Sequence, residues 1–197
     1  MDLETFITNA RAFLSASAPG GEKIDMVKAA VLAPVTQIDG IASVGLIHRP
    51  RNLNNHPDQI ALPGGHIEPG ETPIVTALRE TEEEIGVRPE IVEVLGFMPT
   101  VMTVRTGFMV WPLVGILREK PDIRLSPDEA DEFFWAPVSH FMKPENVVRR
   151  ETILEGDCAP LPAFRYNGYE IWGLTFRIIK SLVEGLNGHK TPVERAE

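Results

Sequence analysis

Apolar positions near the start of the chain recur every three to four residues. Leu3, Phe6, Ile7, Ala10, Phe13 and Leu14 follow this spacing, which predicts an amphipathic helix over residues 2–15. Residues 26–35 form a nearly continuous apolar run instead, carrying Val27, Ala29, Ala30, Val31, Leu32 and Val35, and read as a strand. Residues 43–48 read as its neighbour, with TQIDG between them suiting a hairpin turn. Residues 91–98 and 108–117 predict two more strands, and Pro112 suggests an edge or a bulge in the second because proline has no N–H for an interior ladder. FFWAPVSHF reads as a short strand followed by a short helix, and residues 149–168, rich in proline, as irregular. Leu174, Ile178, Ile179, Leu182 and Val183 place a last helix over residues 172–186, and the final GHKTPVERAE reads as a tail.

The middle of the chain carries the densest local signal. Thr72 suits a helix N-cap, Pro73 the first helical position, and Gly86 the residue just past the last turn, so the spacing predicts a helix over residues 73–85. Ile74, Ala77, Leu78, Thr81 and Ile85 gather on one face, and Glu80, Glu83 and Glu84 on the adjacent arc. Carboxylates at i, i+3 and i+4 repel one another, so a cation is expected against them. Arg79 can reach Glu83, yet one arginine does not neutralise three glutamates. Oxygen ligands of this kind suit hard divalent ions such as Mg²⁺ or Mn²⁺. Taken alone, a Glu-rich helix face is more often a solvated surface.

The preceding loop changes that balance. Gly64 and Gly65 follow a strand-like segment and precede Pro69-Gly70, a sequence that brings backbone close to a ligand and can aim a carbonyl at a metal. Upstream, RPRNLNNHPDQIALPGG is too rich in Asn, Pro and Arg to be regular. Its Arg49 and Arg51 either grip phosphates or are solvated loop residues, and His56 is a minor candidate. PTVMTVRTG reads as a site-lining loop carrying Arg105, and the acidic SPDEADE turn offers Glu129.

Composition narrows the class. A chain of 197 residues with 43% hydrophobic and 24% charged residues fits one soluble domain with short extensions. The net charge of −9 argues against broad binding to nucleic acid and leaves a small anionic substrate dependent on a local basic pocket or a metal. A basic leader followed by an apolar stretch, or a long uncharged run, is missing from the sequence, so a cytoplasmic protein without a membrane partner is expected. The single cysteine, Cys158, excludes an intrachain disulfide and a thiolate metal cluster and is expected to be inert.

Gly65, Glu71, Arg79, Glu80, Glu83, Glu84 and Gly86 stand at the spacing G-x5-E-x7-R-E-x2-E-E-x-G. This loop and helix resemble the Nudix box of the Nudix hydrolases, with Thr81 at one usually apolar position. The resemblance implies an α/β fold, a Nudix-type α/β/α sandwich with a mixed sheet, formed as a single domain across residues 1–197. It implies pyrophosphate hydrolysis on Mg²⁺ or Mn²⁺ held by the Gly64 carbonyl, Glu80, Glu83 and Glu84. Arg79 would orient the glutamates, Glu71 would fix the loop to the helix, and Glu80 or Glu129 would be the general base.

GLIHRPRNLNNHPDQIALPGG further resembles the upstream signature of coenzyme A pyrophosphatases. Leu46, Arg49, Pro63, Gly64 and Gly65 match it, while Ile47, Pro50, Asn54, Asp58 and Leu62 stand at its Thr, Ser/Ala, Arg, Gly and Phe positions. TGFMVWPLVGIL, YEIWGLTFRIIKSLVE and the DEA of residues 128–130 also look like their counterparts there. The substrate implied is coenzyme A or an acyl-coenzyme A, a nucleotide-type small molecule bound with help from Arg49, Arg51 and Arg105. Hydrolysis of ADP-ribose, a nucleotide sugar or a dNTP is the nearest alternative, and a non-catalytic nucleotide-binding regulator the alternative of another class. Homodimerisation stays open.

Overall fold

The computed structural model describes residues 1–19, 26–52, 57–103, 107–154 and 157–188, with side chains omitted at 152–154 and 157–159. Asn54, His56, Arg105 and residues 189–197 of the expected tail lie outside the described residues, as does the side chain of Cys158.

The first strand, β1 (Val27–Ile38), is where the two halves of the core meet. Its residues are buried on both sides, which explains the continuous apolar run: Ala30 and Leu32 face one core, and Ala29, Val31, Ala33 and Val35 the other. The chain turns through Asp39 and Gly40, both at positive φ (49° and 80°), a two-residue hairpin geometry, into β2 (Ile41–His48). β3 (Ile60–Ala61) and β4 (Gly64–His66) are short strands inside the stretch expected to be irregular. They form because each finds an open edge, β3 at the end of β2 and β4 along β1.

The glutamate helix, α2 (Pro73–Ile85), has its predicted bounds, with Thr72 accepting from the Val75 N–H and Gly86 left-handed at φ 72°. β5 (Glu93–Phe97), β6 (Val101–Thr103), β7 (Phe108–Ile116) and β8 (Glu132–Pro137) complete the sheet. Among the described residues it runs β3-β2-β1-β7-β5, with β4, β6 and β8 paired off that path. β1 and β7 are parallel and the remaining pairs antiparallel, so the sheet is mixed.

β7 is interior, so Pro112 is not at an edge. The Pro112 carbonyl accepts from Met98, the first of the three residues linking β5 to β6, and the N–H that proline lacks falls on the same side, at the break between those strands.

Helix α1 (Leu3–Arg11) is capped by Asp2, whose side chain accepts the Thr5 N–H at 2.8 Å. It ends before residue 15 because the chain leaves it to pair with β5, Ser15 and Phe97 exchanging N–H···O bonds at 2.9 and 2.8 Å. After the one-turn helix α3 (Val138–Phe141), residues 149–154 and 157–166, expected to be irregular, are strand: β9 (Val147–Leu154), β10 (Asp157–Tyr166) and β11 (Tyr169–Trp172) make a second antiparallel sheet. Pro160 and Pro162 are tolerated in β10 because β11 pairs only from Ala163 onward, which leaves an open side at both prolines. Helix α4 (Gly173–Leu186) is the last element among the described residues.

Ala77 and the partly buried Ile74 and Leu78 of α2 pack with Ala30, Leu32, Phe97, Met109, Trp111 and Leu113 on one side of the main sheet. Leu3, Phe6, Ile7 and Ala10 of α1 join Phe176, Ile178, Ile179, Leu182 and Val183 of α4 on the other. The result is the expected α/β/α layering. Thr81, the polar residue on the buried face of α2, is fully buried with its hydroxyl donated to the Ala77 carbonyl at 2.6 Å, so no polar atom is stranded there.

Candidate active site

Glu80, Glu83 and Glu84 lie in the last turns of α2, the end where the helix dipole disfavours negative charge. Three neighbouring structures hold them in place.

The first is the glycine strand. The Leu32 N–H donates to the Pro63 carbonyl and the Ile67 N–H to the Lys28 carbonyl, so the polar groups of Gly64, between these ladder positions, face away from β1. The Gly64 N–H donates to Glu84 Oε2 at 3.0 Å. A Cβ on Gly64, at φ 153°, would stand 2.3 Å from the Ala30 carbonyl oxygen; on Gly65 it would meet the Glu80 carboxylate at 2.3 Å. The two glycines therefore let main chain and helix carboxylates come together without intervening side chains.

The second is Arg79. Its Nε donates to Glu71 Oε1 at 2.8 Å, its Nη1 to Glu80 Oε1 at 3.0 Å and Glu83 Oε2 at 2.9 Å, and its Nη2 to Glu71 Oε2 at 3.2 Å and the His66 carbonyl at 3.3 Å. Glu71 also accepts from the Thr76 hydroxyl at 2.6 Å and the Glu68 N–H at 3.2 Å, and so fixes the loop to the helix. Arg79 first, and Thr76 after it, hold the Glu71 carboxyl down to about 2.

The third is the segment after β7. The Arg124 N–H donates to the Ile85 carbonyl and the Ser126 N–H to the Glu84 carbonyl, both at 3.0 Å, which satisfies the open carbonyls at the end of α2. A turn in which the Glu129 N–H donates to the Ser126 carbonyl then sets Glu129 beside the helix, near enough for its charge to raise both Glu80 and Glu84. Glu129 Oε2 is buried and has no hydrogen-bond partner.

Burial dominates the electrostatics. Glu84 is 2% exposed, and desolvation pushes its carboxyl up to about 8 against the pull of the Gly64 N–H and Arg49. Glu80 is raised for the same first reason, with Arg79 opposing. Glu83 is half exposed.

Arg49 reaches into this group, its Nη1 3.3 Å from Glu84 Oε1, while its Nε is buried without a partner. Arg51 does not: it is exposed and its Nε pairs with Asp58 Oδ1 at 3.2 Å. Asp58 also accepts His48 Nε2 at 2.8 Å, a contact that closes the loop on which Arg49 sits. Sequence reasoning did not find the Arg49–Glu84 contact, since nothing local marks a pair 35 residues apart. Asp58 itself, the residue at the signature's glycine position, adopts φ 57°, a left-handed conformation that glycine adopts freely and Asp tolerates.

Among the described residues no three carboxylate, imidazole or thiol groups are already gathered at metal-ligand spacing. Arg79 and Arg49 hold the carboxylates in the arrangement seen. The donor set nonetheless suits a hard divalent ion: it is all oxygen, Glu80 and Glu84 lie within mutual electrostatic reach, and the orphaned Glu129 oxygen stands beside them. No helix among the described residues is long and apolar enough to cross a membrane.

The NUDIX domain model matches residues 26–155, a span that includes every residue of this cluster. The chain is 36% identical over 170 residues to the uncharacterized Nudix hydrolase NudL of Citrobacter koseri, covering 82% of this chain and 84% of that protein. Its identity to Nudix hydrolase 3 of Caenorhabditis elegans is 38% over 116 residues, or 57% of this chain and 48% of the relative. Among solved structures, a MutT protein from Methanosarcina mazei superimposes with TM-score 0.54 at 18% identity, covering 85% of this chain and 99% of that one. A MutT/nudix family protein from Enterococcus faecalis does so with TM-score 0.50 at 19% identity, covering 95% and 75%. At such identities these two structures speak for the fold alone.

Proposed function

The chain belongs to the NUDIX domain family of hydrolases, and from that premise we propose that it cleaves the pyrophosphate of coenzyme A or an acyl-coenzyme A. The products are 3′,5′-ADP and 4′-phosphopantetheine or its acylated form. The observation that carries the hydrolytic reading is the convergence of Glu80 and Glu84 on the Gly64-Gly65 strand, with Glu129 in electrostatic reach of both and its Oε2 without a hydrogen-bond partner.

Glu80, Glu83, Glu84 and the Gly64 carbonyl would hold Mg²⁺ or Mn²⁺. When bound, such an ion supplies neutralising charge for the pyrophosphate and its leaving group and makes water a better nucleophile. Arg79 fixes the rotamers of Glu80 and Glu83, a positioning role supported by its bonds to both and by its anchorage on Glu71. Glu129 takes the proton of the attacking water, since its Oε2 is uncommitted while Glu80 is engaged by Arg79. Arg49, Arg51 and Arg105 bind substrate phosphates.

The substrate reading is supported by the Leu46, Arg49 and Pro63–Gly65 matches to the coenzyme A pyrophosphatase signature, and by the left-handed Asp58, which reconciles one departure from it. The test is to incubate the protein and Mg²⁺ or Mn²⁺ with coenzyme A, acyl-coenzyme A, ADP-ribose, NADH, nucleotide sugars and dNTPs, and to identify products by mass. Release of 3′,5′-ADP from coenzyme A is expected. Coenzyme A left intact while another compound turns over assigns the enzyme to that compound.

A further inference from the structure

Glu84 already touches a cation that belongs to the chain. Arg49 Nη1 lies 3.3 Å from Glu84 Oε1, long beside the roughly 2.7–2.9 Å of a good charge-assisted bond. Arg49 Nε, also buried, donates to nothing. A guanidinium has several donors and cannot shed its charge, so this one is held in place but poorly satisfied. Among the described residues Glu84, almost wholly buried, has this contact and the Gly64 N–H to offset its charge.

The other arginine of the cluster is bound quite differently. Arg79 makes contacts of 2.8–3.0 Å to three carboxylates and is anchored through Glu71, so it has no reason to leave. Arg49 is anchored only at its root, where its N–H donates to the Gln59 carbonyl at 2.9 Å, and its side chain is 22% exposed and so has a route outward. Of the two, Arg49 is the one that an arriving dication would displace, because both cations would otherwise crowd one buried carboxylate in a low dielectric.

We propose that Arg49 is an exchangeable counter-ion: it neutralises Glu84 before the metal binds, and metal binding at Glu84 releases it toward the phosphates of the substrate. This rests on the reading of Glu84 as a metal ligand. It orders the encounter, since the guanidinium becomes available for bidentate phosphate binding only after the ion has taken its place. By linkage, Arg49 and the metal oppose each other at Glu84 to the same extent in both directions.

Two measurements on the free protein test the exchange without reference to turnover. Mn²⁺ affinity, read by the resonance of unbound Mn²⁺, is expected to rise about 5-fold or more in Arg49→Gln, with Arg49→Lys close to wild type. A merely structural role would weaken Mn²⁺ binding instead. In the wild-type protein, phenylglyoxal labelling of Arg49, followed by peptide mass, is expected to speed up when Mn²⁺ is added. An Arg49→Gln affinity at or below wild type, or labelling that Mn²⁺ leaves unchanged or slows, overturns the exchange. Glu84→Gln separates the two levels: loss of Mn²⁺ binding in that variant keeps the metal site even where the exchange fails, whereas wild-type Mn²⁺ binding removes the metal site itself.

Discussion

The Gly64 N–H donates to Glu84 Oε2 across 3.0 Å, joining the strand that enters the glycine loop to the last turn of the helix that leaves it. This bond makes the two adjacent glycines unequal. A Cβ at Gly64 meets backbone, the Ala30 oxygen at 2.3 Å and the Val31 Cα at 2.6 Å, and cannot be relieved without breaking the β4–β1 pairing. At Gly65 it meets only the far end of the Glu80 side chain, which can move. Gly64→Ala is therefore expected to destabilise the fold by about 2 kcal/mol or more, as strained special positions do. Gly65→Ala is expected to fold normally but lose activity through a displaced Glu80. Urea melts alongside turnover assays distinguish them, and equal stability losses would contradict the asymmetry.

Glu84 gives the metal-free protein an unusual pH response. Burial, above all, pushes its carboxyl in the folded protein up to about 8 from an ordinary 4.5. Between those values the folded state keeps a proton that the unfolded chain has lost, so stability must fall as pH rises through this window. The contribution is complete below the lower value and gone above the upper one. Chelator-treated wild type should thus melt at progressively lower temperature from mildly acidic to alkaline pH, with Glu84→Gln showing a shallower fall. Wild type and variant falling in parallel would show that Glu84 does not carry the effect.

Arg79 serves carboxylates on both sides of the loop, so its loss should be felt twice. Arg79→Gln leaves Glu80 and Glu83 without the donor that orients them, and a loss of about 10- to 100-fold in activity or metal affinity is expected, as for other residues that orient metal ligands. It also removes the main cause of the low Glu71 value. In the wild type that depressed carboxyl stabilises the fold above its ordinary 4.5, and the contribution is lost as pH falls toward about 2. Acid unfolding of Arg79→Gln should accordingly be less steep over that range. Unchanged activity together with an unchanged acid limb would remove Arg79 from both roles.

How legible these features were depended on the range of the interaction. Thr72, Pro73 and Gly86 bound α2 by local capping chemistry, and the helix has its predicted ends. The apolar run of β1 marked a strand, and its near-continuity is explained by burial on both faces, which the neighbouring elements supply. Pro160 and Pro162 misled because a proline excludes a strand only where a partner needs its N–H, and the point at which β11 joins, Ala163, is a tertiary fact. The meeting of Arg49 with Glu84 was equally hidden, for the loop that carries Arg49 is closed by the His48–Asp58 contact and not by any motif. The acidic SPDEADE turn offered Glu129 only as one carboxylate of a surface-like stretch, and the resemblance raised it. The clip of Ser126 onto the Glu84 carbonyl, which brings it to the site, has no sequence signal.

Glu129 offers the sharpest division between binding and chemistry. Its Oε2 is buried with no partner, and its neighbours Glu80 and Glu84 are each committed to an arginine or a main-chain N–H. If it takes the proton of the attacking water, Glu129→Gln should lower kcat by about 10²-fold or more, the range of general-base catalysis, and leave KM and Mn²⁺ affinity near their wild-type values. The alternative base, Glu80, predicts the reverse pattern, because its replacement removes a metal ligand together with the base and must weaken Mn²⁺ binding as well. Steady-state kinetics with Mn²⁺ titrations on the two single variants decide between them. A Glu129→Gln enzyme retaining kcat within about tenfold would pass the proton to another acceptor and leave Glu129 a purely electrostatic part in the site.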